Sequence, residues 1–371
     1  MVVGPFRKAK ASKLAAWVAL LSVCACAPSR ETGSTTEAAG SQSGSARFDR
    51  TLSTAIRVGP DSLATRPILS GTFASFAFSR RLFNAELTLT DDRAIPRPYL
   101  AEAPPQLNTD TWRVFPDGRM ETTWKLKPDT VWQDGAPLSA HDFVFAWSVY
   151  STPEFGAASS QSIRTLQEVT AVDDRTIVAY WRRPYPYADE LSGTDGLPPL
   201  PRQILQETFQ QSDPGVFANN PFWTREYIGL GPYRLEQWEP GSYFQGVAFD
   251  QHVLGRPKIT RIRVGIITDV NTALANLLAR ELHMAVDNAI NLEQAVDLGR
   301  DWAKRGAGTV LYSSLTWQAT AFQLRPELAS PPSLLDVRVR QALAHAVDKQ
   351  GFANALYHGE IDTADFIVSP R

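Results

Sequence analysis

Two hydrophobic periodicities alternate along this chain, and their mixture constrains its fold more than any other feature. Ile177-Val178-Ala179-Tyr180-Trp181 and the run Ile259 to Ile267 are rich in β-branched and aromatic residues, which predicts strands. Asp117-Gly118, Asp134-Gly135 and Glu239-Pro240-Gly241 supply turn signals around such runs. Elsewhere the period becomes helical. Ser139-Ala140-His141-Asp142 has the Ser-x-x-Asp form of a capping box. Phe143, Trp147 and Tyr150 then share one face, and Pro153 ends the helix. A second helix is expected from about Asn271 to Leu282, with Leu274, Leu277, Leu278 and Leu282 on one stripe. A third starts with Asp336 as its N-cap. Val339, Ala342, Leu343, Ala346 and Val347 form its core-facing stripe, and Arg338, Arg340 and Lys349 its wet side. The fold class is therefore mixed α/β.

Composition narrows the functional classes. The 371 residues suffice for about two domains, with 43% hydrophobic and 20% charged residues. That excludes a disordered chain, a collagen-like fibre and a disulfide-dense mini-protein. A formal net charge of −2 gives no support for a nucleic-acid partner. Ten Trp, ten Tyr and eighteen Phe serve either a large core or a stacking pocket.

The first 26 residues read as an address. Arg7, Lys8, Lys10 and Lys13 precede the apolar stretch Leu14 to Val23, the pattern of a secretory signal peptide. That stretch is too short to span a bilayer, which takes about 20 apolar residues. The two cysteines, Cys24 and Cys26, close it, so the folded body has none for a disulfide framework. Val23-Cys24-Ala25-Cys26 resembles a bacterial lipoprotein signal, with Cys26 preferred over Cys24 for lipid attachment because the small Ala25 precedes it. An ordinary cleaved signal with incidental cysteines is the alternative. Removing residues 1–26 takes away four positive charges and leaves a body of formal charge −6. Residues 27–46 contain no large apolar side chain and read as a flexible tether, reaching roughly 25 Å on average.

Catalytic constellations are thin. The five histidines, His141, His252, His283, His345 and His358, form no His-Glu-x-x-His pattern. His141 is expected exposed in a capping turn, and His345 at the core boundary of the third helix. Gly40-Ser41-Gln42-Ser43-Gly44 has glutamine at its centre and is no nucleophile elbow. Asp91-Asp92 and Asp173-Asp174 read as turns rather than paired acids. Gly229-Leu230-Gly231 lacks a third glycine and is followed by Pro232, so it reads as a structural turn rather than a phosphate loop. No metal, cofactor or enzymatic activity is expected.

Four blocks together resemble the extracytoplasmic solute-binding proteins of ABC importers, in the dipeptide- and oligopeptide-binding family. They are Pro98-Tyr99-Leu100-Ala101-Glu102; Asp117-Gly118 through Trp124 to Pro128 and Trp132 to Phe145; Gly229-Leu230-Gly231-Pro232-Tyr233; and Asp336 to Leu343 with Ala346-Val347-Asp348. They fall in family order across residues 57–371. Three departures stand out. Arg280-Glu281-Leu282-His283 replaces the family's Gly-Glu-Ile-Asp, Phe322-Gln323 replaces Phe-Asn, and Leu82 to Leu87 matches its element only loosely.

The resemblance implies a two-lobe, periplasmic-binding-protein-like α/β fold of type II, with an extra subdomain in lobe I. The expected divisions are a signal peptide at 1–26, a tether at 27–46, lobe I at 47–304 with a subdomain at about 85–200, and an incomplete lobe II at 305–371. The family carries further chain beyond the third helix, so this sequence looks truncated. Poor solubility, or local disorder beyond about 305, is expected. The implied function is that of the substrate-binding component of an ABC transporter, holding oligopeptides in an interlobe cleft that closes by a hinge. An oligosaccharide, nickel chelate or opine is the alternative ligand, and a lipoprotein hydrolase the alternative class. Candidate ligand contacts are Phe83, Trp223, Tyr227, Trp317 and Phe322, each weighed against core packing. Implied partners are the peptide, the permease transmembrane subunits and, through the lipid anchor, a membrane. A monomer in the periplasm or on the outer face of the cell membrane is expected.

Overall fold

β1 (Thr51–Ile56) carries two alternating faces, and both are buried. Leu52 and Ile56 face the large core, whereas Ala55, of opposite parity, joins a small cluster with Ala273 and Ala289. A strand covered on both sides belongs inside a layered α/β sheet. This computed structural model describes residues 50–363 apart from 67, 69–76, 92, 94, 156–159, 194–195, 313–320, 358 and 361–362. Cys24, Cys26, the tether and Trp317 lie outside the described residues.

After β1 come α1 (Ala77–Phe83), β2 (Thr88–Thr90), β3 (Pro96–Pro98), β4 (Trp112–Val114), β5 (Met120–Lys125), α2 (Ala140–Tyr150), α3 (Gln161–Thr165), β6 (Leu166–Asp173) and β7 (Thr176–Trp181). Then follow α4 (Arg202–Gln211), α5 (Pro214–Ala218), β8 (Tyr233–Glu239), β9 (Tyr243–Ala248), β10 (Arg261–Ile266), α6 (Val270–Leu278), β11 (Met284–Ala285), α7 (Leu292–Arg305), α8 (Val337–Ala346) and α9 (Lys349–Tyr357).

Among the described residues, the main sheet has the order β11-β1-β10-β9-β8. β1 runs parallel to β10, from Thr51↔Arg261 to Ile56↔Ile266, and parallel to β11. Strands that run parallel need a crossover, and α6 supplies the one from β10 to β11, which flank β1. β9 and β8 extend the sheet antiparallel.

A second sheet, β4-β5-β7-β6, is antiparallel throughout. Met120, Thr122 and Trp124 of β5 are buried, while Glu121 and Thr123 are half-buried and Lys125 is exposed, the period of a strand wet on one side. Trp181 Nε1 donates to Thr122 Oγ1 at 3.0 Å, which satisfies a buried indole. The core of this sheet is continuous with that of the main sheet.

α2 begins at its capping box. Ser139 N–H donates to Asp142 Oδ2 at 2.8 Å, and Ser151 follows the last turn, two residues before Pro153. α6 stops at Leu278, earlier than the leucine stripe suggests, because Arg280 adopts a left-handed φ of 65° and turns the chain. Leu282 still packs, against the small cluster around Ala55. α8 starts at the expected cap, with Asp336 Oδ1 accepting from Arg338 N–H at 2.8 Å. The expected burial of its stripe is not met: Ala342, Leu343, Ala346 and Val347 are exposed, and no residue of α8 is buried. His345 is exposed rather than at a core boundary. Among the described residues beyond Arg305, only Ala329, Ala353 and Tyr357 are buried.

Candidate functional site

In open α/β sheets, ligands bind outside the carboxyl ends of parallel strands. Here those ends are Ile56, Ile266 and Ala285. The chain leaving β10 reaches Asp269, which caps α6 by accepting Thr272 N–H at 2.7 Å. The hydroxyl and backbone N–H of Thr272 hold this carboxyl below its ordinary pKa. The chain leaving β11 turns through Asp287 and Asn288, both left-handed at φ 47° and 64°. The Asp287 carboxylate accepts Phe78 N–H at 3.3 Å, at the start of α1. Partial burial raises its pKa. The exit of β11 is thus tied to α1.

At the other end of α1, polar side chains knit the segment after β1 to distant loops. Asn84 Nδ2 donates to Leu63 O at 2.8 Å and to Arg80 O at 3.0 Å, while its Oδ1 accepts from the Tyr227 hydroxyl. Burial pushes the Tyr227 phenol up, so it stays a neutral donor. Arg66 is buried, with its guanidinium 5.1 Å from the Tyr150 ring centroid, and donates to Gly196 O and Ser160 Oγ. Glu86 accepts Gly193 N–H at 2.5 Å and lies 3.7 Å from Arg80. Desolvation outweighs these contacts and raises its pKa. These groups brace loops; none pairs a nucleophile with a base.

The glycine turn packs backbone against backbone. A Cβ on Gly229 would lie 1.9 Å from Phe83 O, and one on Gly231 would lie 2.3 Å from Phe83 C. Gly231 N–H donates to Phe83 O at 2.9 Å. Gln133 seals the crossing: its Nε2 donates to Gly231 O at 3.0 Å and Tyr233 O at 2.7 Å, and its Oε1 accepts Gly229 N–H at 3.0 Å. The turn is held by this packing and uses its N–H groups internally.

The candidate ligand aromatics separate. Phe83 is buried edge-on to Phe244, with centroids 5.8 Å apart. Trp223 is buried between Phe217 and Phe222, and its Nε1 donates to Phe217 O at 2.8 Å. Tyr227 is buried beside Phe222. All three belong to the main core; Trp223 and Tyr227 both pack on Phe222, and Tyr227 reaches the residue next to Phe83 through its bond to Asn84. Phe322 is half-buried. The sequence assigns no role to Arg66 or Asp287, and carries Asn84, Glu86 and Gln133 only within the resembling blocks, because a single polar residue carries no spacing signal of its own.

Two shallow concavities, of about 470 Å³ beside α4 and α5 and about 180 Å³ on the second sheet, lie away from the parallel-strand ends. Among the described residues no cluster of three His, Cys, Asp or Glu side chains suits a metal, and no helix is long and apolar enough to cross a membrane.

Known proteins share this fold. The oligopeptide-binding protein AppA of Bacillus subtilis is 25% identical over 285 residues, covering 76% of this chain and 48% of its own length. The dipeptide-binding protein of Escherichia coli is 25% identical over 291 residues, covering 70% and 49%. The chain therefore spans about half the length of these curated relatives. Among solved structures, NikZ from Campylobacter jejuni in complex with Ni(L-His) superposes with a TM-score of 0.66 at 22% identity, covering 86% of this chain and 58% of NikZ. AppA in complex with a nonapeptide gives 0.61 at 22% identity, with the same coverage. These likenesses establish the periplasmic-binding-protein α/β fold. Residues 102–371 match the bacterial extracellular solute-binding proteins, family 5, and the chain belongs to that family.

Proposed function

We propose that this chain supplies the first lobe, and the start of the second, of a peptide-binding component of an ABC importer. The match of residues 102–371 to family 5 carries this reading. Relatives named as oligopeptide- and dipeptide-binding proteins, and a relative solved with a nonapeptide, indicate the ligand class. The chain holds its ligand reversibly and performs no covalent step. Peptide lies at the carboxyl edge of β1, β10 and β11, between residues 47–304 and a lobe begun by 305–371. Trp317 and Phe322 touch it, while Phe83, Trp223 and Tyr227 frame the wall behind. The protein works outside the cytoplasm as a monomer, held to a membrane by lipid on Cys26 through the 27–46 tether, and passes peptide to permease subunits. A thermal-shift assay with mixed peptides tests this. A raised Tm with unchanged peptide masses is expected; cleaved peptides, or no shift with any peptide, would overturn it.

A further inference from the structure

We propose that the end of the main sheet opposite the carboxyl edge of β1 and β10 is a basic face that rests on anionic lipid headgroups. This end gathers the starts of β1, β8 and β10 and the finish of β9. Arg50 leads into it, and its carbonyl accepts Thr260 N–H and Arg261 N–H, each at 3.1 Å. Arg234 and Arg261 both stand opposite Val247, so they share one side of the sheet. Arg263, two positions along β10, projects to that same side. Arg256 and Lys258 lie in the connection from β9 to β10, at the same end. Arg256 pairs with Asp250 at 2.7 Å, and Arg261 with Glu236 at 2.7 Å. Arg50, Arg234, Lys258 and Arg263 are exposed. The Arg263 guanidinium stacks 3.7 Å from the Tyr243 ring centroid, which holds its position and leaves its charge uncancelled.

Six cations and the two carboxylates bound to them leave this end positive, in a body of formal charge −6. A negative surface therefore attracts this end and repels the rest, which orients the body as well as holding it. One apolar side chain sits in the same connection. Gly255, at φ 88°, donates its N–H to His252 O at 2.7 Å, and this turn presents Leu254, 60% exposed. His252 gives the turn a fixed base, buried against Tyr99 with ring centroids 5.7 Å apart. A lone exposed leucine is ordinary, but one beside a cluster of bases suits a lipid interface, where apolar insertion and charge attraction add. The tether of residues 27–46 joins the body just before Arg50, so lipid on Cys26 would tie down this end of the sheet. Only that approach to the bilayer rests on the anchor reading; the face itself rests on where the charges lie.

Photo-crosslinking of the full chain tests it, with p-benzoylphenylalanine at Leu254 or, as control, at Val172, 67% exposed on β6. Both positions are exposed, and circular dichroism checks that folding is retained. The chain is mixed with vesicles of phosphatidylcholine alone or with about one-third phosphatidylglycerol. On the mixed vesicles in about 0.05 M salt, lipid adducts at Leu254 are expected about tenfold above those at Val172. They should fall to the control level on phosphatidylcholine alone and in about 1 M salt, where charges are screened within roughly 3 Å. Lys258→Gln with Arg263→Gln should lower them about tenfold. Adducts at Leu254 no more abundant than at Val172, or indifferent to phosphatidylglycerol, salt and the double substitution, would overturn the proposal. Flotation with phosphatidylcholine vesicles reports the anchor separately, because a lipid-bearing chain floats whether or not this face engages.

Discussion

Asp142 Oδ1 accepts the backbone N–H of Arg202 at 3.1 Å, across 60 residues of sequence. The same carboxylate accepts Ser139 N–H at 2.8 Å and faces Trp132 Nε1 at 3.4 Å. One buried side chain therefore serves the starts of both α2 and α4. Each lost cap costs about 1 kcal/mol, and an unsatisfied buried N–H adds to that. Asp142→Ala is expected to lower stability by about 2–3 kcal/mol, read as a fall in the urea midpoint. A change below about 0.5 kcal/mol would show that the two helices hold without it.

Two backbone positions respond oppositely to substitution. Arg280 holds a left-handed φ of 65° where glycine fits without strain. Relief of that strain, of roughly 1–2 kcal/mol, exceeds the entropy glycine adds to the unfolded chain. Arg280→Gly is expected to stabilise by about 0.5–1 kcal/mol. Gly231→Ala drives a Cβ to within 2.4 Å of Asn84 N and 2.3 Å of Phe83 C. Because the obstruction is backbone, the expected cost is about 3 kcal/mol or loss of folded protein. Urea denaturation of both variants measures the contrast.

Two glutamates give opposite pH signatures. Burial raises Glu86 above its ordinary 4.5, so the folded state binds its proton more readily than the unfolded state. Its contribution to stability therefore grows as pH falls through the raised value to about 4.5, and is constant below. Hydrogen bonds from Arg261 and Gln245 lower Glu236 to about 2, so its contribution is present above 4.5 and lost as pH falls from there to about 2. Urea midpoints across this range should show wild type gaining on Glu86→Gln on acidification, and losing its advantage over Glu236→Gln.

Under the proposed function the candidate aromatics would divide into frame and contact. Tyr227→Phe removes the hydroxyl that donates to Asn84, at about 1–2 kcal/mol of stability, with peptide affinity unchanged. Phe322→Ala is expected to weaken peptide binding about tenfold, or 1.4 kcal/mol, with Tm within a degree or so of wild type. Calorimetric titration and thermal melts on both variants separate the roles.

What could be read from sequence follows from what each signal encodes. The Ser139–Asp142 box, the Asp336 cap and the strand at Ile177 are local, and the structure has them. The stripe on α8 was legible as a pattern, but periodicity shows which face is apolar and not what covers it. Phe83, Trp223 and Tyr227 look alike in sequence whether they line a cleft or fill a core, and burial alone separates them. The Gly229 and Gly231 contacts with Phe83, and the Gln133 clamp, join segments roughly 100 to 150 residues apart. No local spacing could announce them.

Native mass spectrometry of the protein isolated from its own cells, titrated with a mixture of short peptides, tests reversible peptide holding most directly. One intact peptide per protein, exchanging for a competitor added in excess, is the expected spectrum. Shortened peptides, or protein that remains unliganded throughout the titration, would contradict it.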